Sequence, residues 1–271
     1  MSRFKILVAD LLPPIALRAL LKLIRHQGPR LFGVFHDVDM LKSEGQYESK
    51  EWLEQQIKAL GVNVRPWEYL PEMHSPRALT ALYLNLISHR QTISVLDFGG
   101  ASGEIYFDLK RGGGLLFPNN VTWTVVDSLP GMQLGENFKI EGDQIDFSTT
   151  IPKDRHFDVL HVSTVFQYIT DIVGTVNHLL DSCTPDHIVL TRLCAGSNPD
   201  FFTHNFAFGK WESVHFFNFH EFERQFHQRG YETVLRQKYS EESLSPADFH
   251  DVPLDHQISS TSHLILTRRS I

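Results

Sequence analysis

The stretch Val95-Leu96-Asp97-Phe98-Gly99-Gly100-Ala101-Ser102-Gly103 constrains this chain more than any other. A run of apolar and β-branched residues enters a glycine-rich turn, and a helical pattern follows from Glu104. Glycines at such a turn allow positive φ and close approach of the backbone to a ligand. The helix behind it points free N–H groups at whatever the turn holds. The spacing is not G-x-G-x-x-G, which argues against a nicotinamide dinucleotide.

The rest of the chain from Ile93 onward supports an open, mainly parallel sheet. Short β-rich runs at Ser94–Phe98, Thr122–Asp127, Gln144–Phe147, Val159–Val162 and Ile188–Leu193 alternate with helical stretches, including Ile172–Ser182. That alternation predicts a sheet covered by helices on both faces. Two further strands, Thr233–Lys238 and Ser262–Thr267, end the chain like a hairpin and predict one antiparallel member among seven strands. Residues 1–90 read as a helical extension or cap, with helices over Pro14–Ile24, Glu51–Leu60 (stopped by Gly61) and Pro76–His89. Ser75 is the expected N-cap of the last, with Pro76 at its first position. Residues 91–271 form the second predicted unit.

Acidic residues recur at the strand ends. Asp127 ends Trp123-Thr124-Val125-Val126, where a carboxylate can accept both hydroxyls of a ribose. Asp146 follows Ile145, with Phe147 beside it, and Ser163 ends the next strand in Phe157-Asp158-Val159-Leu160-His161-Val162-Ser163. In this order the elements resemble a class I S-adenosylmethionine-dependent methyltransferase, with a Rossmann-like seven-stranded sheet. The resemblance implies a cofactor site built from Asp97, Gly99, Gly100, Ser102, Gly103, Asp127, Ser128, Asp146, Phe147 and Ser163. Asp127 would take the ribose, Asp146 the adenine amine, and Phe147 would be available to stack. Ala101 departs from the commoner middle glycine. For Asp146 a helix N-cap role is an equal alternative.

A narrower likeness covers roughly residues 70–235. The runs VLDFGGASGEIYFDL, VTWTVVDSLPGM and FDVLHVSTVFQYITD are similar to methyltransferases encoded in bacterial surface-polysaccharide gene clusters. That resemblance implies O-methylation of a saccharide or glycolipid acceptor, and it specifies the cofactor better than the acceptor. A SAM-binding scaffold without turnover is the competing reading.

Methyl transfer needs alignment of the acceptor and, for an alcohol, removal of a proton. The aromatic and polar insert Ala195–Trp211 falls where an acceptor pocket is expected. His204 within it is the candidate base, Asn205 an orienting amide, and Tyr168 and Arg192 further catalytic candidates. His161 alternates with apolar residues and reads as a core histidine. His36-Asp37-Val38-Asp39, His250-Asp251 and Asp255-His256 lack the spacing of a zinc or calcium motif, so no metal is expected.

Composition limits the remaining classes. The chain has 271 residues, 42% of them hydrophobic, enough for one well-buried α/β domain and an appended subdomain. A net charge of −7 argues against nucleic acid as a partner. Residues 1–30 differ from the rest: Arg3, Lys5, Arg18, Lys22, Arg25 and Arg30 face Asp10 alone, among many leucines. This composition suggests peripheral membrane contact or packing on the body. Two cysteines, Cys183 and Cys194, make no disulfide framework, so a reducing cytoplasm, or the inner face of the inner membrane, is the expected location. The sequence leaves the oligomeric state open.

Overall fold

A computed structural model describes residues 30–41, 43–45, 47, 49–62, 75–88, 92–112, 117–153, 155–207 and 210–269. The predicted helix Pro14–Ile24 and the whole basic segment before Arg30 lie outside the described residues. In chain order the elements are β1 (Arg30–Phe35), α1 (Lys50–Val62), α2 (Pro76–Ser88), β2 (Ile93–Phe98), α3 (Glu104–Gly112), β3 (Val121–Val126), α4 (Leu129–Phe138), β4 (Ile145–Ser148) and β5 (Val159–Ser163). There follow α5 (Ile172–Cys183), β6 (His187–Leu193), β7 (Ala195–Gly196), β8 (Phe201–Ala207), β9 (Lys210–Asn218), α6 (Phe219–His227), β10 (Tyr231–Ser243), β11 (Phe249–His250) and β12 (Ser260–Arg268).

Seven strands form one sheet in the order β10-β12-β6-β5-β2-β3-β4. β12 runs antiparallel to both β10 and β6, and the pairs from β6 to β4 are parallel. This is the class I methyltransferase arrangement. The strands of its centre are apolar on both faces because both faces are covered. On one side Leu96, Leu160 and Val162 meet Val176, Leu179 and Leu180 of α5 and Phe222 and Phe226 of α6. On the other, Val95, Trp123 and Val125 meet Leu79 and Leu84 of α2 and Tyr106, Phe107 and Leu109 of α3. The chain leaves β2 toward β3 on one side and reaches β5 on the other, so the switch point of the sheet lies between β2 and β5.

Local rules set the helix ends. Ser75 Oγ accepts from the Ala78 N–H at 3.2 Å and caps α2, with Pro76 at its first position, where a missing N–H costs nothing. The side chain of Asp171 caps α5 by accepting from Gly174 N at 2.9 Å. Gly61 does not stop α1, which runs on to Val62.

The predicted helical extension needs correction. Residues 30–35 form a strand, and it pairs antiparallel with β8 of the insert, Leu31 opposite Asn205 and Phe32 opposite His204. With β9, β7 and β11 they build a second sheet, in the order β11-β1-β8-β9-β7. A strand of six residues gives too short a period to distinguish it from irregular chain, and its partner lies far along the sequence. One face of this sheet, bearing Leu31, Phe201, Val214, Phe216 and Phe249, packs with Val252, Ile258 and Cys194 into a third core, on which Tyr168 rests.

Candidate functional site

The site is built at the C-terminal ends of β2, β3 and β5, where open α/β sheets place their ligands. Leaving β2, the chain turns with φ of +72° at Gly99, +50° at Ala101 and +75° at Gly103. Glycine is required here for space as well as for φ. A Cβ on Gly99 would lie 2.3 Å from Val165 Cγ2, and one on Gly103 would lie 2.7 Å from Ile145 Cδ1. Ala101 carries its methyl group in the left-handed region, at a cost of about 1–2 kcal/mol. Its N–H donates to Asp127 Oδ2 at 2.7 Å, a charge-assisted bond that offsets this strain.

Asp127 therefore joins the tip of β3 to the turn after β2. Its other oxygen accepts the Ser128 N–H at 2.5 Å. Each carboxylate oxygen retains acceptor capacity beyond those single bonds. Beside it, Ser128 occupies the N-cap position of α4 without capping it, and its hydroxyl oxygen is buried without a partner. A half-buried carboxylate and an orphaned hydroxyl at one strand tip suit the hydroxyls of a ribose. Together with the glycine turn and the N-terminus of α3, these groups fit a cofactor that carries both an adenosine and an amino-acid end.

The other expected cofactor residues divide. Asp97 is 1% exposed and turned into the α2–α3 side of the sheet. Its Oδ1 lies 2.7 Å from His161 Nδ1, and its Oδ2 accepts from Trp123 Nε1 at 3.0 Å. Both oxygens are thus engaged inside the core, so Asp97 shapes the turn and does not face the crevice. It also explains Gly100, whose Cβ would lie 2.3 Å from Asp97 Oδ2. His161 is the core histidine expected. Ser102 is buried and donates to Gln56 Oε1 at 3.3 Å, docking α1 against the turn. Asp146 is exposed and faces Lys139 Nζ at 3.5 Å. The Phe147 ring is held against Gly103 and Gly135, and a Cβ on the latter would lie 2.4 Å from it. Ser163 accepts from Thr191 Oγ1 at 2.9 Å, where β5 ends beside the switch point.

The turn after β5, Phe166–Tyr168, lies between this crevice and the second sheet. Tyr168 is hydrogen-bonded to Tyr47, and burial pushes its hydroxyl up to about 12 against the opposing effects of Tyr47 and Arg192. It is a hydrogen-bond donor at neutral pH and not a base. Gln167 donates to the Arg192 carbonyl at 3.3 Å, and its own Oε1 is buried without a partner. Arg192 itself sits in the left-handed region at φ +56°, a strained position of the kind that clusters at sites. Near it, burial holds the Glu104 carboxyl above its ordinary value despite the guanidiniums of Arg77 and Arg192.

His204 does not join this group. Side chains alternate along a strand, so His204 shares a face with Phe202 and Phe206, and Asn205 shares the opposite face with Phe201 and Thr203. The His204 ring lies 5.4 Å from Trp211 and 5.9 Å from Phe35, on an aromatic face with Phe32 and His250. The face turned to Tyr168 carries Thr203, Asn205 and Glu212 instead. Sequence reasoning missed Glu212 because its place follows only from the register Asn205↔Glu212. It missed Tyr47 and Glu104 because neither belongs to a spaced motif.

Among the described residues, His156, Asp158 and Asp186 stand closely enough to hold a metal ion. They precede β5 and β6, at the end of the sheet opposite the glycine turn, and His156 Nε2 lies 3.3 Å from Asp186 Oδ2. Asp37 caps a short turn by accepting from Asp39 N at 2.9 Å, and His256 Nδ1 lies 2.8 Å from Asp255 Oδ1. Among the described residues no helix is long and apolar enough to cross a membrane.

Comparison with known proteins agrees with this geometry. A methyltransferase-domain family matches residues 67–236. Among solved structures, the magnesium protoporphyrin IX methyltransferase of Synechocystis with bound SAH is similar at 12% identity and a TM-score of 0.50, covering 78% of this chain and 86% of its own. A methyltransferase of Haloferax volcanii, solved in complex with a methyltransferase activator, is similar at 14% identity and a TM-score of 0.50, covering 80% and 95%. Curated proteins give no sequence match. Its seven-stranded sheet and the family match over most of its length place this chain in the methyltransferase-domain family, as an S-adenosylmethionine-dependent methyltransferase.

Proposed function

We propose that this protein transfers a methyl group to a hydroxyl of a saccharide or saccharide-lipid in surface-polysaccharide biosynthesis. The observation that carries the acceptor reading is the second sheet. It stands over the turn at Tyr168, where its inner face offers Thr203, Asn205 and Glu212, while Lys210 on the same face donates to the Glu44 and Gly45 carbonyls. Such a surface suits a neutral, hydroxylated acceptor better than an anionic one.

In this reading Gly99, Gly100 and Gly103 leave room for the methionine end, Asp127 and Ser128 hold the ribose, and Asp146 with the backbone at Phe147 meets the adenine. Ser102 and Asp97 fix the turn behind them, and Ser163 borders the crevice at the end of β5. S-adenosylmethionine supplies a methyl group on a sulfonium, already activated for displacement. The chain's own work is alignment and proton removal. The acceptor oxygen forms the new O–CH3 bond, the S–CH3 bond breaks with its electron pair left on sulfur, and the hydroxyl proton passes to a carboxylate. Tyr168, kept protonated by burial, donates a hydrogen bond to the acceptor, and Arg192 orients that side of the pocket. His204 faces the other way and serves as part of an aromatic outer face.

Residues 1–30 would bring the enzyme to an anionic inner-membrane surface, which a lipid-borne acceptor would require. Incubation with 13C-methyl-labelled donor and a bacterial polysaccharide and glycolipid extract tests the acceptor class. The expected outcome is a labelled O-methyl resonance on saccharide. Donor binding without label transfer to any fraction would favour the SAM-binding scaffold.

A further inference from the structure

The inner face of β8 and β9 holds polar atoms that the fold itself does not use. Thr203 is 0% exposed and Asn205 5%, and the Thr203 hydroxyl and the Asn205 side-chain oxygen have no hydrogen-bond partner. A buried polar atom without a partner costs stability, and native proteins keep few of them. Asn205 stands directly opposite Glu212 in the ladder, and Thr203 opposite Val214. The three polar side chains therefore form one row. A further orphan, Gln167 Oε1, lies in the turn packed against β9. Above the row, the Ser43 hydroxyl donates to Glu212 Oε2, and Tyr47 packs edge-on against Tyr168 with ring centroids 4.9 Å apart.

We propose that Thr203, Asn205 and Glu212, with Gln167 of the turn that packs on β9, are the acceptor-recognition wall, and that the ligand is a polyol. The orphaned oxygens of Asn205 and Gln167 are acceptors only, so they call for donors, and a compound with several neighbouring hydroxyls supplies them. The Ser43 hydroxyl on Glu212 marks how the wall receives an alcohol: O–H donating to carboxylate. An acceptor hydroxyl in that position gives its proton to Glu212 as its oxygen takes the methyl group from the sulfonium. The sulfur keeps the electron pair of the broken bond, and the protonated Glu212 then releases its proton to water. Tyr168, held as the neutral phenol, flanks this position. This inference rests on the methyltransferase reading of the crevice, but its first test does not.

Two measurements on the full chain separate the outcomes. Thermal unfolding of Thr203→Val and Asn205→Leu comes first. Groups kept for a ligand weaken the free protein, so each replacement should leave the melting temperature unchanged or raise it by about 2–4 °C. A fall of several degrees in both would show that these atoms serve the fold, and would overturn the wall whatever the acceptor. Labelled methyl transfer into the polysaccharide and glycolipid extract comes second. Thr203→Val and Asn205→Leu should lose at least tenfold in rate at limiting extract, with SAH affinity unchanged. Glu212→Gln should lose about 10²–10⁴-fold in rate with SAH affinity unchanged. Near-normal transfer by Glu212→Gln would overturn its role. A wild-type protein that labels no saccharide would overturn the acceptor class, while the melting temperatures still judge the wall.

Discussion

Replacing Asp97 separates the two roles that an acidic residue in a glycine turn can play. Asp97→Ala removes the acceptor of both Trp123 Nε1 and His161 Nδ1, in a place where Trp123 and His161 are 1% and 0% exposed. Neither donor can turn to water. Each stranded group costs about 1–3 kcal/mol, and breaking a buried hydrogen-bonded charge costs about 3–5 kcal/mol altogether. For a chain of this size that corresponds to a melting temperature lower by about 6–20 °C. Asp97→Asn keeps one acceptor oxygen for Trp123 and sets its amide against a ring nitrogen that can accept in the other tautomer, so it should lose about 1–2 kcal/mol. Thermal unfolding followed by circular dichroism measures both, and SAH titration on the folded variants shows what remains of the site. If Asp97→Ala melted within about 2 °C of wild type and yet lost SAH affinity, Asp97 would be a ligand residue and the core assignment would be wrong.

Three further outcomes follow from the geometry. His204→Ala should retain methyl transfer within a few-fold of wild type, because the ring lies on the outer face of the second sheet; a hundredfold loss would place it in the mechanism. Burial lowers the His187 pKa from 6.5, against the opposing charges of Asp186 and Asp158. The unfolded chain then binds more protons just below pH 6.5, so this contribution to stability is complete above that pH and is lost as pH falls; urea midpoints of wild type and His187→Gln from pH 5 to 7.5 should converge toward the acid end. Burial pushes the Tyr83 hydroxyl up to about 12, so its contribution is present below pH 10 and lost as pH rises from there toward 12, a decline that Tyr83→Phe should lack.

The parts legible in the sequence are those with a local signature. The strand–turn–helix at Val95–Gly103, the strand tip at Asp127 and the N-cap at Ser75 are each set by neighbours within a few residues, whereas Asp146 lies inside β4, opposite Thr124, and not at its end. Seven strands with one antiparallel member followed from the alternation of strand and helix and from the hairpin-like end, whereas their order in the sheet is set by long-range pairing. What sequence reasoning lost are the features fixed by pairing at long range. β1 is a strand because β8 pairs with it, and Glu212 faces Tyr168 because the β8–β9 register sets it opposite Asn205. His204 and Asn205 looked like a working pair, but adjacent residues of a strand point to opposite faces. Asp97 was assigned to the cofactor because its position in the motif is right; the tryptophan and histidine that engage it come from the neighbouring strands β3 and β5.

Calorimetric titration of SAH into wild-type protein and into Asp127→Ala tests the cofactor site itself. Asp127 joins the tip of β3 to the glycine turn through the Ala101 N–H and is the carboxylate that the ribose would meet. Wild type should show one saturable site and Asp127→Ala a loss of affinity of at least tenfold, from charge-assisted hydrogen bonds worth about 1.5–3 kcal/mol. Asp127→Asn should fall between the two. Equal affinity in wild type and Asp127→Ala, or no binding by a folded wild-type protein, would contradict this assignment of the site.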